Sequence, residues 1–371
     1  MGDWQCALEK VVIYKQSKID HAYWHGKRVL VTGHTGFKGS WLTLWLAQLG
    51  CHVTGLSLKP MTDPALFEIA NISTLCESQF GDIRDVKNLN NLVAQSQPEV
   101  VFHLAAQALV GQSYRDPIET FSTNTMGTAN VLEAVRLSSS AKSVVMVTTD
   151  KVYKNNGSMQ PYKETDILGG YDPYSASKAA SELIIASYCN AFFRTQGIAV
   201  ASARAGNVIG GGDWAADRLI PDAIRAWSAK RSLAVRHPDS IRPWQHVLEP
   251  LYGYLILAQK LAAKPEFGSA YNFGPEFNDA ISVRRIIELA QQVWGDAPMK
   301  WGDNSSQLHE ASWLQLETTK LRKELGVQSI WNAEQAVERT MIWYKNQARG
   351  ANALALCKKP APAVSKVWTL S

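Results

Sequence analysis

Two groups of side chains in this 371-residue chain have the types and spacing to move protons. Thr149, Asp150 and Lys151 stand in a row at the end of the apolar run "SVVMVTT". Tyr174 and Lys178, in "YDPYSASKAASE", are four apart, which puts them one turn apart on one helix face. A phenol with a pKa of about 10 is a poor base at neutral pH. A nearby ammonium favours the phenolate and makes it a better one. The Thr149 hydroxyl can hydrogen-bond a reacting oxygen, and Asp150 and Lys151 can give and take protons at a neighbouring atom. To act as a base Lys151 must be neutral. An unshifted lysine is neutral to roughly one part in 10³ at pH 7, a cost of about 4–5 kcal/mol. Burial or a cationic neighbour reduces that cost. Asp150 must be protonated to act as an acid, so a raised Asp150 and a lowered Lys151 are mutually consistent.

These groups need a frame. From Lys27 to about Arg204 strand-like and helix-like stretches alternate. "RVLVTG", "HVTGLSL", "VVFHLAA", "SVVMVTT" and "IAVASARAG" read as buried parallel strands, with helices between them such as Ser40–Leu49 and Asn124–Leu137. The pattern predicts an α/β fold: a doubly wound, parallel, Rossmann-type sheet with right-handed crossovers. After Arg204 come a Gly-rich loop, "GGGDWAADR", and four helical stretches: "LIPDAIRAWSAK", "VLEPLYGYLILAQKLA", "SVRRIIELAQQVWG" and "AEQAVERTMIWYKNQ". They predict a smaller α/β C-terminal lobe that binds substrate. The expected division is an N-terminal extension over 1–24 and a dinucleotide-binding domain over 25–206, to which 244–275 return. The second lobe spans 207–243 and 276–349, and 350–371 form a tail that ends in the flexible-looking "KKPAPAVSKVWTLS".

"VLVTGHTGFKGSWL" places Gly33, Gly36 and Gly39 directly after the first strand, at the opening of a helix. Glycines let the backbone turn tightly and approach a pyrophosphate, and the helix N-terminus offers it free N–H groups and a positive dipole end. In a strand–turn–helix context this is a dinucleotide site. An oxidised nicotinamide there would add to the positive charge that stabilises the Tyr174 phenolate. NAD selectivity usually comes from a carboxylate that ends the second strand. "GLSLKP" offers Ser57 and Lys59 instead, so the residues alone leave NAD and NADP open.

The G-x-x-G-x-x-G spacing resembles the extended short-chain dehydrogenase/reductase superfamily. That resemblance implies cofactor contacts from Gly33, Gly36, Phe37, Lys38 and Gly39, from Asp82 and Ile83 in "GDIRD" at the adenine, from Leu104, Ala105 and Ala106 in "FHLAAQ", and from Asn124, Tyr174 and Lys178. Nucleotide-sugar 4,6-dehydratases of the superfamily typically show Thr-Asp-Glu at the strand end, and this chain shows Thr149-Asp150-Lys151. With "RAGNVIGGGDWA", "DRLIPD", "IRPWQHVLEPL" and "HEA", that substitution resembles the CDP-glucose 4,6-dehydratase family over about residues 25–345. The family resemblance implies NAD as cofactor, CDP-glucose as substrate, and Thr149, Asp150, Lys151, Tyr174 and Lys178 as the catalytic set. It implies loss of water by hydride transfer from C4 to NAD and back to C6, in the making of deoxysugar precursors of surface polysaccharides such as lipopolysaccharide. Substrate contacts are expected from Asn207, Arg218, Arg242 and His309, and a homodimer through the helices beginning near Thr120 and Tyr174. His34 and His103 read as cofactor-lining structure, and Tyr153 as a packing residue beneath the loop.

Composition sets the remaining bounds. A 46% hydrophobic and 19% charged chain of net charge +5 reads as globular, and scattered basic residues leave no nucleic-acid footprint. No apolar run approaches the roughly 18–20 residues of a membrane span. Five separated cysteines without a CxxC pair suggest reduced thiols in a cytoplasmic setting. No His/Cys clustering suggests a metal. The other enzyme readings are a 4,6-dehydratase or 4-epimerase for another nucleotide sugar. A dinucleotide-sensing protein without turnover would have no need of Asp150 and Lys151.

Overall fold

The computed structural model describes residues 17–155, 157, 160–276, 279–302 and 314–358. Its centre is a seven-stranded sheet: β1 (Arg28–Thr32), β2 (His52–Ser57), β3 (Glu77–Phe80), β4 (Val100–His103), β5 (Ser143–Val147), β6 (Ala199–Ala205) and β7 (Ala270–Phe273). The spatial order is β7-β6-β5-β4-β1-β2-β3, with every pairing parallel. The strand order reverses between β1 and β4, and a crevice opens there at the carboxyl ends of the strands. Two strands are absent from the sequence reading. β3, "ESQF", is a mostly exposed edge with no apolar run, and β7 returns to the sheet after an excursion of some 60 residues beyond β6.

Side chains alternate faces along the strands. Val29, Val31, Phe102, Val145 and Val147 enter one core with α1 (Phe37–Gln48) and the long buried helix Leu248–Ala263. Leu30, Val101, Val144 and Met146 enter the other, against α2 (Val86–Ser96), α3 (Gly127–Ser138) and α4 (Pro173–Tyr188). α1 starts at Phe37, three residues before the expected Ser40, because its N-terminus is the glycine turn itself. The expected helix from Asn124 is helical throughout, since α3 continues unbroken from Pro117–Phe121 through a π-helical turn over Ser122–Met126. The N-cap of α4 is Asp172, whose carboxylate accepts from the Ser175 N–H and hydroxyl, with Pro173 at the first helical position. That cap sets where Tyr174 and Lys178 lie.

After β6 the chain forms α5 (Leu219–Ser228), the long helix α6 (Leu248–Ala263), α7 (Val283–Trp294) and α8 (Ala333–Ala348), with one short strand pair inside 207–247 and two joining it to 281–301. An Asn332–Gln335 capping box opens α8. Two stretches expected outside the pattern are packed into it. Trp24 is fully buried and donates its indole N–H to Gln259 on α6 at 2.6 Å, and the Ser17 hydroxyl donates to the Leu325 carbonyl. Downstream, a short helix over Ala353–Lys358 buries Ala353 and Cys357.

Candidate active site

The crevice begins at the turn after β1. Gly33 has φ +79°, and a Cβ there would lie 2.7 Å from the Ala105 nitrogen. At Gly39 a Cβ would lie 2.0 Å from the Gly33 carbonyl oxygen. Only glycines allow this turn to fold so tightly against Leu104 and Ala105. Gly36 caps α1 without a side chain, which leaves the first N–H groups of a twelve-residue helix free to meet an anion. These residues fit a dinucleotide pyrophosphate, with Phe37 and Lys38 on the first turn. Leu104 to Ala106 follow β4 on the facing side of the crevice.

Other residues expected at the cofactor have their bonds committed. Arg84 holds the Asp82 carboxylate through bonds of 2.6–3.0 Å, and this keeps Asp82 below the usual carboxylate range. The Ile83 side chain is buried against Gly127, and its carbonyl accepts from Asn130. Asn124 is buried. Its amide is spent on the backbone of Gln107 (2.8 and 3.0 Å) and on the Ser177 hydroxyl (2.9 Å), so it ties the loop after β4 to α4. β2 ends without a carboxylate, the Ser57 hydroxyl hydrogen-bonds Thr35 at 2.7 Å, and Lys59 is exposed.

His34 and His103 do not line the crevice. His34 is fully buried, with its ring against Gly55 and bonded to Ser78 at 2.7 Å, and burial depresses its pKa to about 4. His103 is bonded to Thr32 and Thr128, and its pKa is depressed to about 3, again by burial. Both are sheet-packing residues.

At the carboxyl end of β5, Thr149 caps a single tight turn, Asp150–Val152. The Thr149 hydroxyl donates to Asp150 Oδ1 at 3.0 Å, and Lys151 Nζ lies 3.5 Å from the same oxygen. Asp150 is buried and its Oδ2 has no protein partner. Lys151 is about one-third exposed. Across from them Tyr174 is buried, which raises its phenol above the ordinary value. A hydrogen bond with Thr149 and the charges of Lys151 and Arg218 pull it back. Lys178 is buried beneath, donates to the Val147 carbonyl at 3.2 Å, and is lowered by burial to about 8. Burial, with Arg218 and Lys178 nearby, lowers Lys38 to about 7, while the charge of Asp150 opposes that shift.

The second lobe approaches through Gly206. A Cβ at this position would stand 3.0 Å from Asp150 Oδ2 and 3.3 Å from Pro243, so Gly206 lies against both the carboxylate and the "IRPWQH" segment. Arg242 precedes that proline, on a short strand paired with Ile281–Ser282. Asn207 follows Gly206, and its carbonyl accepts from the Gln245 N–H. Arg218 caps α5 from its N-terminal side and is held by Asp213 at 2.9 Å. The structure therefore brings Arg218 to the Tyr174 cluster and places Asn207 and Arg242 on either side of the Gly206–Pro243 contact. His309 lies outside the described residues. Among those residues no group of three or more His, Cys, Asp or Glu is gathered as a metal would need.

The sequence reading missed Thr148, Glu182 and Arg204, which form a buried network directly under this site. An arginine inside the small-residue strand "IAVASARAG" is the signal that could have revealed it.

A family model described as GDP-mannose 4,6-dehydratase matches residues 30–340. The chain belongs to that family. Within it, the chain is similar to a protein of Salmonella typhimurium named CDP-glucose 4,6-dehydratase, at 47% identity over 92% of this chain and 96% of the relative. It is also similar to the dTDP-glucose 4,6-dehydratase of Xanthomonas campestris pv. campestris, at 29% identity over 85% of this chain and 92% of that one. Among solved structures, UDP-glucose 4-epimerase from Brucella ovis, in complex with NAD, has a TM-score of 0.73 and 24% identity over 85% of this chain and 98% of that one. The chain is thus similar in sequence to dehydratases and in fold to an epimerase, so what separates them must be read from side chains at the strand ends.

Proposed function

We propose that the chain is an NAD-dependent lyase that converts CDP-D-glucose to CDP-4-keto-6-deoxy-D-glucose and water. The observation that carries the reading is the Thr149–Asp150–Lys151 cluster, hydrogen-bonded together on one side of the crevice and facing Tyr174. An enzyme that only exchanged hydride at C4 would not need the acid and the amine. The Salmonella relative supports CDP-glucose as substrate, and the NAD-bound epimerase supports NAD.

Bound along the Gly33–Gly39 turn, NAD⁺ would accept the C4 hydride and give it back at C6. Tyr174 takes the proton of the 4-hydroxyl, with Thr149 bonded to the same oxygen. The C4 ketone acidifies the C5 proton, which Lys151 removes and then returns to C5 as hydride reaches C6. Asp150, with its free Oδ2 toward Gly206 and the second lobe, protonates the departing 6-hydroxyl. Arg218 and Arg242 suit the diphosphate, since guanidinium pairs bind such oxygens bidentately. Asn207 and His309 are further substrate contacts in this reading.

The same reading divides the chain into 25–206 with 244–275 for the cofactor, and 207–243 with 276–349 for the nucleotide sugar. It also includes a homodimer. Ile118, Phe121, Met126 and Leu183 are exposed apolar residues on the Pro117–Phe121 helix, the turn after it and α4. A cytoplasmic setting accords with unpaired Cys51, Cys76, Cys189 and Cys357, whose thiols burial pushes up to about 11–12. Among the described residues no helix is long and apolar enough to cross a membrane.

Comparing CDP-, dTDP- and GDP-linked sugars as substrates tests the assignment. Turnover of CDP-glucose well above the others is expected. Preference for another nucleotide would overturn the substrate.

A further inference from the structure

We infer that the buried Glu182–Arg204 ion pair is a positioning device for the elimination, anchoring both ends of the Thr149–Lys151 segment and fixing it against the helix that carries Tyr174 and Lys178. The inference rests on the functional reading above.

Glu182 lies one turn beyond Lys178 on α4 and is buried. Its Oε1 accepts from the Thr148 hydroxyl at 2.5 Å, and its Oε2 accepts from Ser202 at 2.8 Å and Arg204 Nη2 at 2.7 Å. Thr148 immediately precedes the catalytic row. On the far side of the row, Arg204 Nη1 donates to the Tyr153 hydroxyl at 2.9 Å and to the Glu164 carbonyl at 3.1 Å. The Arg204 guanidinium also sits 5.1 Å from the Tyr153 ring centroid. Tyr153 in turn donates to Asn272 on β7 at 2.6 Å and stacks on Tyr162 with centroids 5.0 Å apart. Tyr153 thus packs beneath the loop and also serves as its second anchor. Residues 149–152 are strung between two hydroxyls, and one ion pair joins those hydroxyls.

Burying two charges is a costly way to stabilise a core, because apolar side chains of similar volume often do so as well or better. What the pair adds is direction. Tyr174 is placed by α4 itself, whereas Asp150 and Lys151 sit in the turn after β5, which this anchor ties to α4. Loosening the anchor should therefore slow the elimination more than the oxidation at C4. Reduced nicotinamide should then build up on the enzyme during turnover.

The test mixes NAD-loaded wild-type enzyme, Glu182→Gln, Thr148→Val and Tyr153→Phe rapidly with CDP-glucose, following the near-ultraviolet absorbance of bound reduced nicotinamide. The last two variants remove one anchoring hydroxyl each and leave the charge pair intact, so they carry the test if Glu182→Gln does not fold. Expected is a fall in kcat on the order of 10–100-fold, since displacements of an ångström at reacting groups can cost that much. KM should stay near the wild-type value, and reduced nicotinamide should accumulate where wild type shows little. Unchanged kcat, or a fall in activity without accumulation, would overturn the inference while leaving the functional reading intact. A wild-type enzyme that makes no product from CDP-glucose would overturn both.

Discussion

Lys151 Nζ and the Thr149 hydroxyl converge on a single oxygen, Asp150 Oδ1, at 3.5 and 3.0 Å. Asp150 Oδ2 is left buried and unpartnered on the side of Gly206. The proposed base and acid are therefore held as one unit, with one carboxylate oxygen fixed by the protein and the other available to a substrate hydroxyl.

From that geometry Lys151→Met should lower turnover on the order of 10²–10⁴-fold, the usual cost of removing an acid–base group. Asp150→Asn should do likewise. In D₂O the wild type should introduce deuterium at C5, and Lys151→Met should not. Undiminished uptake by that variant would remove Lys151 from the mechanism.

Lys178 predicts two opposite pH effects. Its folded pKa is about 8, against about 10.4 for a lysine in an unfolded chain. If its charge serves the tyrosine, activity should fall as pH rises through about 8. Stability should move the other way. Between these pKa values the unfolded chain holds a proton that the folded chain lacks, so unfolding free energy rises with pH across this window. Lys38, lowered to about 7, adds to the same trend. A pH–rate profile and denaturant titrations at several pH values check both signs, and Lys178→Met should flatten part of the stability trend.

Gly33→Ala should disable cofactor binding. The left-handed backbone disfavours alanine by about 1–2 kcal/mol, and the added methyl meets the Ala105 nitrogen. Calorimetric titration with NAD should show affinity lost beyond any change in melting temperature. Wild-type affinity in the variant would place the cofactor elsewhere.

Leu183 lies exposed on α4, as Ile118, Phe121 and Met126 do on the Pro117–Phe121 helix and the turn after it. Leu183→Glu should shift the chain from dimer to monomer in size-exclusion chromatography with light scattering. A wild-type monomer would contradict the proposed assembly.

Much of this site was legible because local chemistry marks it. A glycine turn after a buried strand, a tyrosine and lysine one helical turn apart, and a polar row at a strand end each carry their own signature, and the fold brings them to one crevice. The Glu182–Arg204 pair was not legible, because it joins a helix to a strand across 22 positions and each partner looks ordinary in its own segment. β3 and β7 were hidden for related reasons, one by polar edge residues and the other by a long excursion. The histidines were read as structure lining the cofactor, whereas Gly55 leaves His34 a buried slot in the sheet.

The central claim is that a single hydride leaves C4 and returns to C6 of the same sugar. CDP-glucose carrying deuterium at C4, incubated with the NAD-loaded protein in ordinary water, measures this directly. The account predicts a 4-keto-6-deoxy product with the deuterium at C6 and no net formation of NADH. Deuterium lost to solvent, or a sugar returned with its 6-hydroxyl intact, would contradict it.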